Sequence, residues 1–339
     1  MQRKIFYNLF RILFLGSTIS TLIAEINVYS HRHYDSDKIL FKRFTKETGI
    51  KINIIKGSAD QLIQRLISEG KNSPADVLLT VDAGRLERAR AAGILQPVKS
   101  LTLLKNIPAE MRDPDGYWYG LTVRARVIVY ANDRVNVNEL STYENLADSK
   151  WKGRVVVRSS SNIYNQSLLA SIIAANGTNK ALSWAKAVRK NMARSPRGSD
   201  RDQARAVAAG IADVAIMNTY YLGILANSSE IVDREVASKV SVFFPNQKGR
   251  GTHINVSGAG VTSSSKNKDE AIKFLEFLSN AKSQETFGNV NHEYPVKIKT
   301  NQSSLLKSWG SFKYDSINLS ILGAKNSEAV KLFDRAGWE

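Results

Sequence analysis

The 339-residue sequence contains no cysteine. Disulfide bridges, cysteine-ligated zinc, iron–sulfur clusters and thiol catalysis are therefore excluded, and so is a lipid anchor on an N-terminal cysteine. After the first two dozen residues, no apolar run reaches the length of about 18 residues that a membrane-spanning helix needs. The chain is longer than one hydrophobic core usually serves, so two domains are expected.

The N-terminal segment has the layout of a secretory signal peptide. Arg3, Lys4 and Arg11 are basic, and the uncharged, largely apolar run 12–24 follows them. We predict that residues 1–24 direct export to the periplasm and are then removed, which leaves a soluble protein. An uncleaved N-terminal anchor is the alternative interpretation.

The formal net charge is +17, and loss of the signal peptide removes three positive charges, which leaves +14. Such a balance can indicate a nucleic-acid-binding protein. The lysines and arginines are scattered along the chain, however, and an exported protein meets little nucleic acid. An anionic ligand or surface, or simple solvation, explains the charge better.

Strands and helices alternate from the start of the predicted mature chain, which is typical of an α/β protein with a parallel sheet flanked by helices. In the first helix, Asp37 is the expected N-cap and Gly49 the C-terminal stop. The predicted elements of this part are strands 25–30, 50–57 and 75–82 and helices 37–49, 59–70 and 83–93.

A second alternating run begins after residue 124. Its predicted elements are strands 125–132, 152–161 and 212–217 and helices 164–177 and 199–210. Asn218 or Thr219 can then cap a new helix, which places Tyr220 and Tyr221 in its first turn. Adjacent residues of a strand would point to opposite faces, whereas a first helical turn lets both phenol oxygens face one cleft. Judged by residue type alone, packing remains the better explanation of this pair.

No catalytic motif is present. The sequence lacks G-x-S-x-G, a phosphate-binding loop with lysine and serine, and H-E-x-x-H, and no G-x-G-x-x-G follows a predicted strand. We therefore expect a protein that is not an enzyme.

Tyrosines recur at the ends of predicted strands, where open α/β sheets bind ligands. They are Tyr34, Tyr164 and the pair Tyr220–Tyr221. Tyrosine is a rare metal ligand because its phenol is protonated near neutral pH. A hard, highly charged cation such as Fe³⁺ can displace that proton, helped by nearby positive charge. A surface or packing role is the competing interpretation of the His-Tyr loop 29–35.

At this point the chain resembles a known family, the periplasmic ferric-iron-binding proteins of ABC importers, and in particular the cyanobacterial branch usually called FutA. The resemblance covers nearly the whole predicted mature chain. The stretches that carry it are NVYSHRHYDSD (27–37), ADVLLTVDAGRLERARAAGILQPV (75–98), WYGLTVRARVIVYAN (118–132), WKGRVVVRSSSNIYNQSLLASIIAANG (151–177), AAGIADVAIMNTYYLG (208–223), GTHINVSGAGVT (251–262) and EYPV (293–296).

The resemblance implies a type II periplasmic-binding-protein fold, in which two lobes close on a ligand and each lobe is a central sheet flanked by helices. The chain passes between the lobes more than once. Mapped onto this sequence, the N-lobe comprises residues 25–123 plus 249–300. The C-lobe comprises residues 124–248 plus 301–339.

The resemblance also implies a tyrosinate site for Fe³⁺ between the lobes. The matching ligands are Tyr34, Tyr164, Tyr220 and Tyr221, and His33 is a further candidate because some members use the histidine before the first tyrosine. Relatives in other bacteria often use a histidine, a glutamate and an external anion, and we expect this chain not to need the anion. Four phenolates and Fe³⁺ carry a net charge of −1, which Arg124 at the expected hinge, or second Arg126, would balance.

The implied function is capture of Fe³⁺ in the periplasm and delivery to an inner-membrane ABC permease by a monomeric protein; binding of Fe²⁺ as well is left open. The first competing hypothesis is a binding protein of the same fold for a small organic or oxyanion ligand. A periplasmic enzyme on this fold is the second, and a nucleic-acid-binding protein is the third. An orange-red phenolate-to-iron band would separate the iron site from these three.

Overall fold

The computed structural model describes residues 24–297 and 299–339, so the predicted signal peptide lies outside the described residues except for Ala24. The strands are β1 (Glu25–Ser30), β2 (Lys51–Lys56), β3 (Val77–Val81), β4 (Tyr119–Ala131), β5 (Val155–Val156), β6 (Val214–Asn218), β7 (Val240–Phe243), β8 (Ile254–Val261) and β9 (Tyr294–Pro295). The helices are α1 (Asp35–Thr48), α2 (Ala59–Glu69), α3 (Ala83–Ala91), α4 (Leu101–Asn106), α5 (Ile163–Asn176), α6 (Thr178–Asn191), α7 (Asp200–Ala208), α8 (Thr219–Ala226), α9 (Ile231–Ser238), α10 (Lys268–Ser279), α11 (Ala281–Val290), α12 (Ser304–Ser308), α13 (Ser320–Ala324) and α14 (Asn326–Ala336). Within the described ranges, no helix has the length and apolarity that crossing a membrane requires.

The strands pair in the order β2-β1-β3-β8-β4-β6-β5, and β7 and β9 also pair with β4. The pairs β1–β2, β1–β3 and β5–β6 are parallel, as the alternation of strands and helices predicts. The remaining pairs all include β4 or β8 and are antiparallel. The sheet is therefore mixed: the parallel pairing predicted for the first three strands is confirmed, and the antiparallel pairs of β4 and β8 are added to it.

Strand β4 joins two groups of strands. Its first half, Tyr119–Ala125, pairs with β8, and β9 pairs with it there as well. From Arg126 onward its partners are β6 and β7. The sequence predicts this strand only from residue 125, because Gly120 and Arg124 interrupt the apolar pattern of its first half. Gly120 is required by packing: a Cβ there would lie 2.6 Å from the carbonyl oxygen of Met111.

Helix α1 begins two residues earlier than predicted, and Tyr34, not Asp37, stands at its N-cap position. Asp37 lies in the first turn, where its carboxylate accepts a hydrogen bond from the backbone N–H of Tyr34 (3.2 Å). The same carboxylate is paired with the Arg32 guanidinium at 3.0 Å. An ion pair between residues five positions apart therefore holds Asp37 in the first turn, where its carboxylate also binds the backbone N–H of Tyr34. The predicted stop at Gly49 is confirmed, with a left-handed φ of 75°.

Candidate metal centre

Tyr34 follows β1, and its neighbours on the chain hold its ring. The guanidinium of buried Arg32 lies 4.9 Å from the ring centroid. That guanidinium is tied to Asp37 and, at 2.9 Å, to the fully buried Glu293. The exposed His33 stacks on Tyr34 with ring centroids 5.2 Å apart. Tyr34 thus stands between an anchored cation and a solvent-facing imidazole.

Tyr164 lies in the first turn of α5, after β5. The helix is capped by Asn162, whose side-chain oxygen accepts a hydrogen bond from the Tyr164 N–H (3.1 Å). Three guanidinium carbons face its ring, those of Arg124 at 5.1 Å, Arg158 at 5.6 Å and Arg126 at 5.9 Å from the centroid. Three positively charged side chains therefore lie within cation–π distance of the Tyr164 ring.

Tyr220 and Tyr221 occupy the first turn of α8, as predicted, and follow β6 directly. Their ring centroids are 4.1 Å apart and the ring planes differ by 30°, so the side chains lie side by side instead of pointing to opposite faces. The Tyr220 hydroxyl lies 3.4 Å from that of Tyr34. Tyr221 packs against the small cluster that contains Tyr164. The structure therefore brings all four predicted tyrosines together.

The four phenols form one electrostatic group. Burial, followed by the nearby Tyr164, raises the pKa of Tyr34 to about 12. The same two causes, in the same order, raise the pKa of Tyr220 and of Tyr221. Without a cation these three hydroxyls are therefore protonated at neutral pH, and a metal must displace their protons to bind.

The two predicted arginines differ in their partners. Arg126 makes an ion pair with the buried Asp200 (Nη1–Oδ2, 3.2 Å) and donates to Asn165 at 2.6 Å. Arg124 donates to the Ser257 hydroxyl at 2.7 Å, and its nearest carboxylate, Glu293, is 4.0 Å away. Burial lowers the pKa of Arg124, but the charge interactions with Tyr164 and Tyr220 raise it by more. The net pKa is above the usual value for arginine, so the guanidinium stays charged. Arg124 is thus the better candidate for charge balance, and Arg126 is chiefly part of a structural ion pair.

Two residues at the site were not selected from the sequence. Arg158 faces Tyr164 and lies 3.5 Å from Asp200. Its position in the last part of the predicted strand 152–161, directly before the serines that lead to Tyr164, was a usable signal. Arg32 carried no such signal, because its partner Glu293 is 261 positions away along the chain.

The side chains available as metal ligands determine which kind of metal this cleft could bind. Among the residues that the structure describes, no group of three histidine, aspartate or glutamate side chains could hold a metal ion. A metal centre at this cleft would therefore be built from phenolate oxygens, which suit a hard cation. The four tyrosines come from the carboxyl ends of β1, β5 and β6, the edge where open α/β sheets bind ligands.

This architecture, with strands on either side of a crossing strand and a polar cleft at the strand ends, is that of a solute-binding protein. The bacterial extracellular solute-binding protein family matches residues 72–314, and the chain belongs to that family. Binding proteins of this kind serve ABC importers from the periplasm, and the fold is the two-lobed one.

The chain is similar to characterised iron proteins over nearly its full length. It is 51% identical over 315 residues to iron uptake protein A1 of Synechocystis sp., covering 93% of this chain and 88% of that protein. It is 28% identical over 320 residues to the major ferric iron-binding protein of Neisseria meningitidis, covering 93% of each. A solved Trichodesmium structure, IdiA or FutA in complex with iron and citrate, superposes with a TM-score of 0.91 at 55% identity, covering 93% of this chain and all of that one.

Proposed function

We propose that this chain is a periplasmic binding protein that captures Fe³⁺ between its two lobes and delivers it to an ABC importer in the inner membrane. The observation that carries the proposal is the convergence of four phenols from three separate strand ends. The similarity to iron uptake and ferric iron-binding proteins supports the same cargo. No catalytic step is part of this function.

The proposed ligands are Tyr34, Tyr164, Tyr220 and Tyr221. His33 lies against Tyr34 at the exposed side and can supply a further donor. Citrate accompanies iron in the Trichodesmium protein, so the expectation that this chain needs no external anion remains a prediction. Fe²⁺ would bind the same oxygens more weakly, because its lower charge displaces phenol protons less readily.

We further propose that the lobes comprise residues 25–123 plus 249–300 and residues 124–248 plus 301–339. The change of partners along β4 at Ala125–Arg126 supports a crossing there. Tyr34 then belongs to the first lobe and Tyr220 to the second, so lobe closure would assemble the site. Export by residues 1–24 and a monomeric state, with no nucleic-acid partner, complete the proposal.

Titration of the iron-free mature protein with Fe³⁺ tests this function. We expect an orange-red phenolate-to-iron charge-transfer band that saturates at one iron per chain. The double variant Tyr220→Phe/Tyr221→Phe should lose most of the band, whereas Tyr130→Phe, on β4 away from the cluster, should keep it. Saturable citrate or phosphate binding with no iron band would instead favour the organic or oxyanion ligand.

A further inference from the structure

The carboxylate of Asp200, the first residue of α7, is completely buried. Its Oδ2 accepts a hydrogen bond from Arg126 at 3.2 Å, and the Arg158 guanidinium lies 3.5 Å from its Oδ1. Oδ1 has no hydrogen-bond partner among the residues that the structure describes. Burying a charge that is only partly hydrogen-bonded lowers stability. The position of such a group is therefore informative about what its charge does.

The same carboxylate holds the start of the helix that carries two proposed iron ligands. Its Oδ2 accepts a hydrogen bond from the backbone N–H of Asn218 at 2.9 Å. Asn218 is the N-cap residue of α8, but its own side chain does not cap the helix. Tyr220 and Tyr221 follow in the first turn. Asp200 thus lies against the backbone that presents both phenols to the cleft.

The charge of Asp200 also reaches the phenols themselves. Burial, then Tyr164, then Asp200 raise the pKa of Tyr221, so this carboxylate opposes formation of the phenolate. Arg158 carries the opposite charge at the same place, with its guanidinium carbon 5.6 Å from the ring centroid of Tyr164. The two charges therefore act with opposite sign on one set of proposed ligands.

Glu293, a second buried carboxylate near the tyrosines, has a different environment. Both of its oxygens accept hydrogen bonds, which come from Arg32, Ser257 and Asn291. These bonds give Glu293 a structural role within the first proposed lobe. Asp200 instead keeps an oxygen free of hydrogen bonds beside the turn that carries two proposed ligands.

We propose that Asp200 determines the oxidation state that the iron site prefers, favouring Fe³⁺ over Fe²⁺. With the same ligands, the Fe³⁺ complex carries one positive charge more than the Fe²⁺ complex. A fixed negative charge buried beside the ligands therefore stabilises the oxidised complex more than the reduced one. Arg158 acts in the opposite direction, so the pair sets the balance. This inference rests on the proposed function and concerns the same site.

The test compares the Fe³⁺ and Fe²⁺ affinities of the mature protein. Fe³⁺ binding is measured through the charge-transfer band in competition with nitrilotriacetate, and Fe²⁺ binding by anaerobic competition with ferrozine. Asp200→Asn keeps the shape of the side chain and an acceptor oxygen for the Asn218 N–H, but removes the charge. The ratio of the Fe³⁺ affinity to the Fe²⁺ affinity should fall by about tenfold, which corresponds to a reduction potential higher by about 59 mV.

Asp113→Asn is the matched control. Asp113 is also buried, has one oxygen without a hydrogen-bond partner among the described residues, and is paired with Arg90 at 3.2 Å outside the tyrosine cluster. Its substitution should leave the affinity ratio unchanged. Arg158→Met removes a positive charge and should raise the ratio by about threefold. Adding Asp200→Asn to Arg158→Met should bring the ratio down again, so the charge of Asp200 is measured even where Asp200→Asn alone does not fold.

The outcomes separate this inference from the proposed function. A normal Fe³⁺ band with an unchanged affinity ratio in Asp200→Asn, or in the double variant relative to Arg158→Met, would overturn the inference and leave the proposed function intact. An equal fall of the ratio in Asp113→Asn would also overturn it, because the effect would then not depend on position. If Fe³⁺ gives no band in the unaltered protein, the proposed function fails and the inference fails with it.

Discussion

The hydroxyl oxygens of Tyr34 and Tyr220 lie 3.4 Å apart, although the residues are 186 positions apart in the chain. Two oxygens bound to one small cation at about 2 Å lie about 2.8–4 Å from each other. The observed spacing is within that range, so both can bind one ion with little movement. Because each tyrosine lies in a different proposed lobe, their contact corresponds to a closed cleft.

Iron binding should release protons, because the phenols that bind it are protonated beforehand. The pKa of Tyr34 is raised to about 12, and those of Tyr220 and Tyr221 are raised as well. Lowering the pH therefore favours the iron-free form. We expect release of three to four protons per iron, roughly one for each phenolate formed, measured by pH-stat titration with a chelated Fe³⁺ source and a chelator blank.

The Tyr34→Phe variant should release about one proton fewer per iron than the unaltered protein. Tyr130→Phe, which changes a tyrosine outside the cluster, should leave the proton count as it was. Release of only about one proton in the unaltered protein would contradict a site built from four tyrosinates.

A second contact crosses the proposed cleft and should govern iron release. Asp82 follows β3 with a φ of 80°, which is strained for any residue with a side chain. Its carboxylate accepts hydrogen bonds from the Ser167 hydroxyl of α5 and from Asn255, both at 2.8 Å. A buried hydrogen bond to a charged group contributes about 1.5–3 kcal/mol. Ser167→Ala should therefore speed iron loss to a competing chelator by about 10- to 100-fold.

Ser279→Ala is the matched control for this experiment. Ser279 of α10 is also buried, but its hydroxyl donates to the Glu276 carbonyl (2.8 Å) and accepts from the Asn106 side chain (3.0 Å), and all three residues lie within the first proposed lobe. Its removal should change iron dissociation little. Equal dissociation rates in the two serine variants would show that the contact of Asp82 with Ser167 does not hold the lobes closed.

The placement of the four tyrosines could be predicted because it depends on local signals. Strand ends, helix caps and the parallel connections of β1, β5 and β6 are visible in short stretches of sequence, and they bring strand-end residues to one edge. The start of α1 could not be predicted in the same way. Asp37 has the residue type of an N-cap, but its pairing with Arg32 draws it into the first turn.

The electrostatic surroundings of the site were less predictable, because they depend on distant pairings. Arg32 with Glu293 and Arg126 with Asp200 are separated by 261 and 74 positions. No periodicity or motif indicates such pairs. The sequence therefore indicates both Arg124 and Arg126 as candidates for charge balance. Their roles are distinguished only in the structure, where the Asp200 carboxylate lies beside Arg126.

That distinction leads to a prediction for Arg124 and Arg126. Removing Arg126 leaves Asp200 buried with only Arg158 nearby, so Arg126→Met should lower the free energy of unfolding by about 3–5 kcal/mol. Arg124→Met should weaken iron binding by about tenfold or more, because a positive charge facing the phenolates is lost. Its effect on unfolding should be smaller, since Glu293 keeps Arg32 as its partner.

Urea unfolding of the iron-free protein and iron competition measure the two effects separately. Asp200→Asn added to Arg126→Met should recover part of the lost stability, because it removes the uncompensated charge. If Arg124→Met and Arg126→Met lower stability and iron affinity in the same proportion, the assignment of separate roles is wrong.

The stability of the iron-free protein should fall as the pH drops below about 6.5, with His253 as a main cause. Burial, then the charges of Arg250, Arg126 and Arg124, lower the pKa of His253 well below its usual range. When the histidine pKa is lowered by folding, the unfolded chain binds a proton at pH values between the two pKa values, whereas the folded protein does not. The contribution to stability is thus complete above about pH 6.5 and is lost below it, at up to about 1.4 kcal/mol per pH unit.

Urea unfolding at several pH values between about 5 and 7, above the usual range of most carboxylates, measures this dependence. Burial also lowers the pKa of His31 and His292, so His253→Gln should reduce the slope without abolishing it. The slope is the decisive quantity, since His253→Gln can lower stability at every pH. An unaltered slope in His253→Gln would mean that His253 takes up its proton equally in the folded and unfolded states, despite three neighbouring arginines.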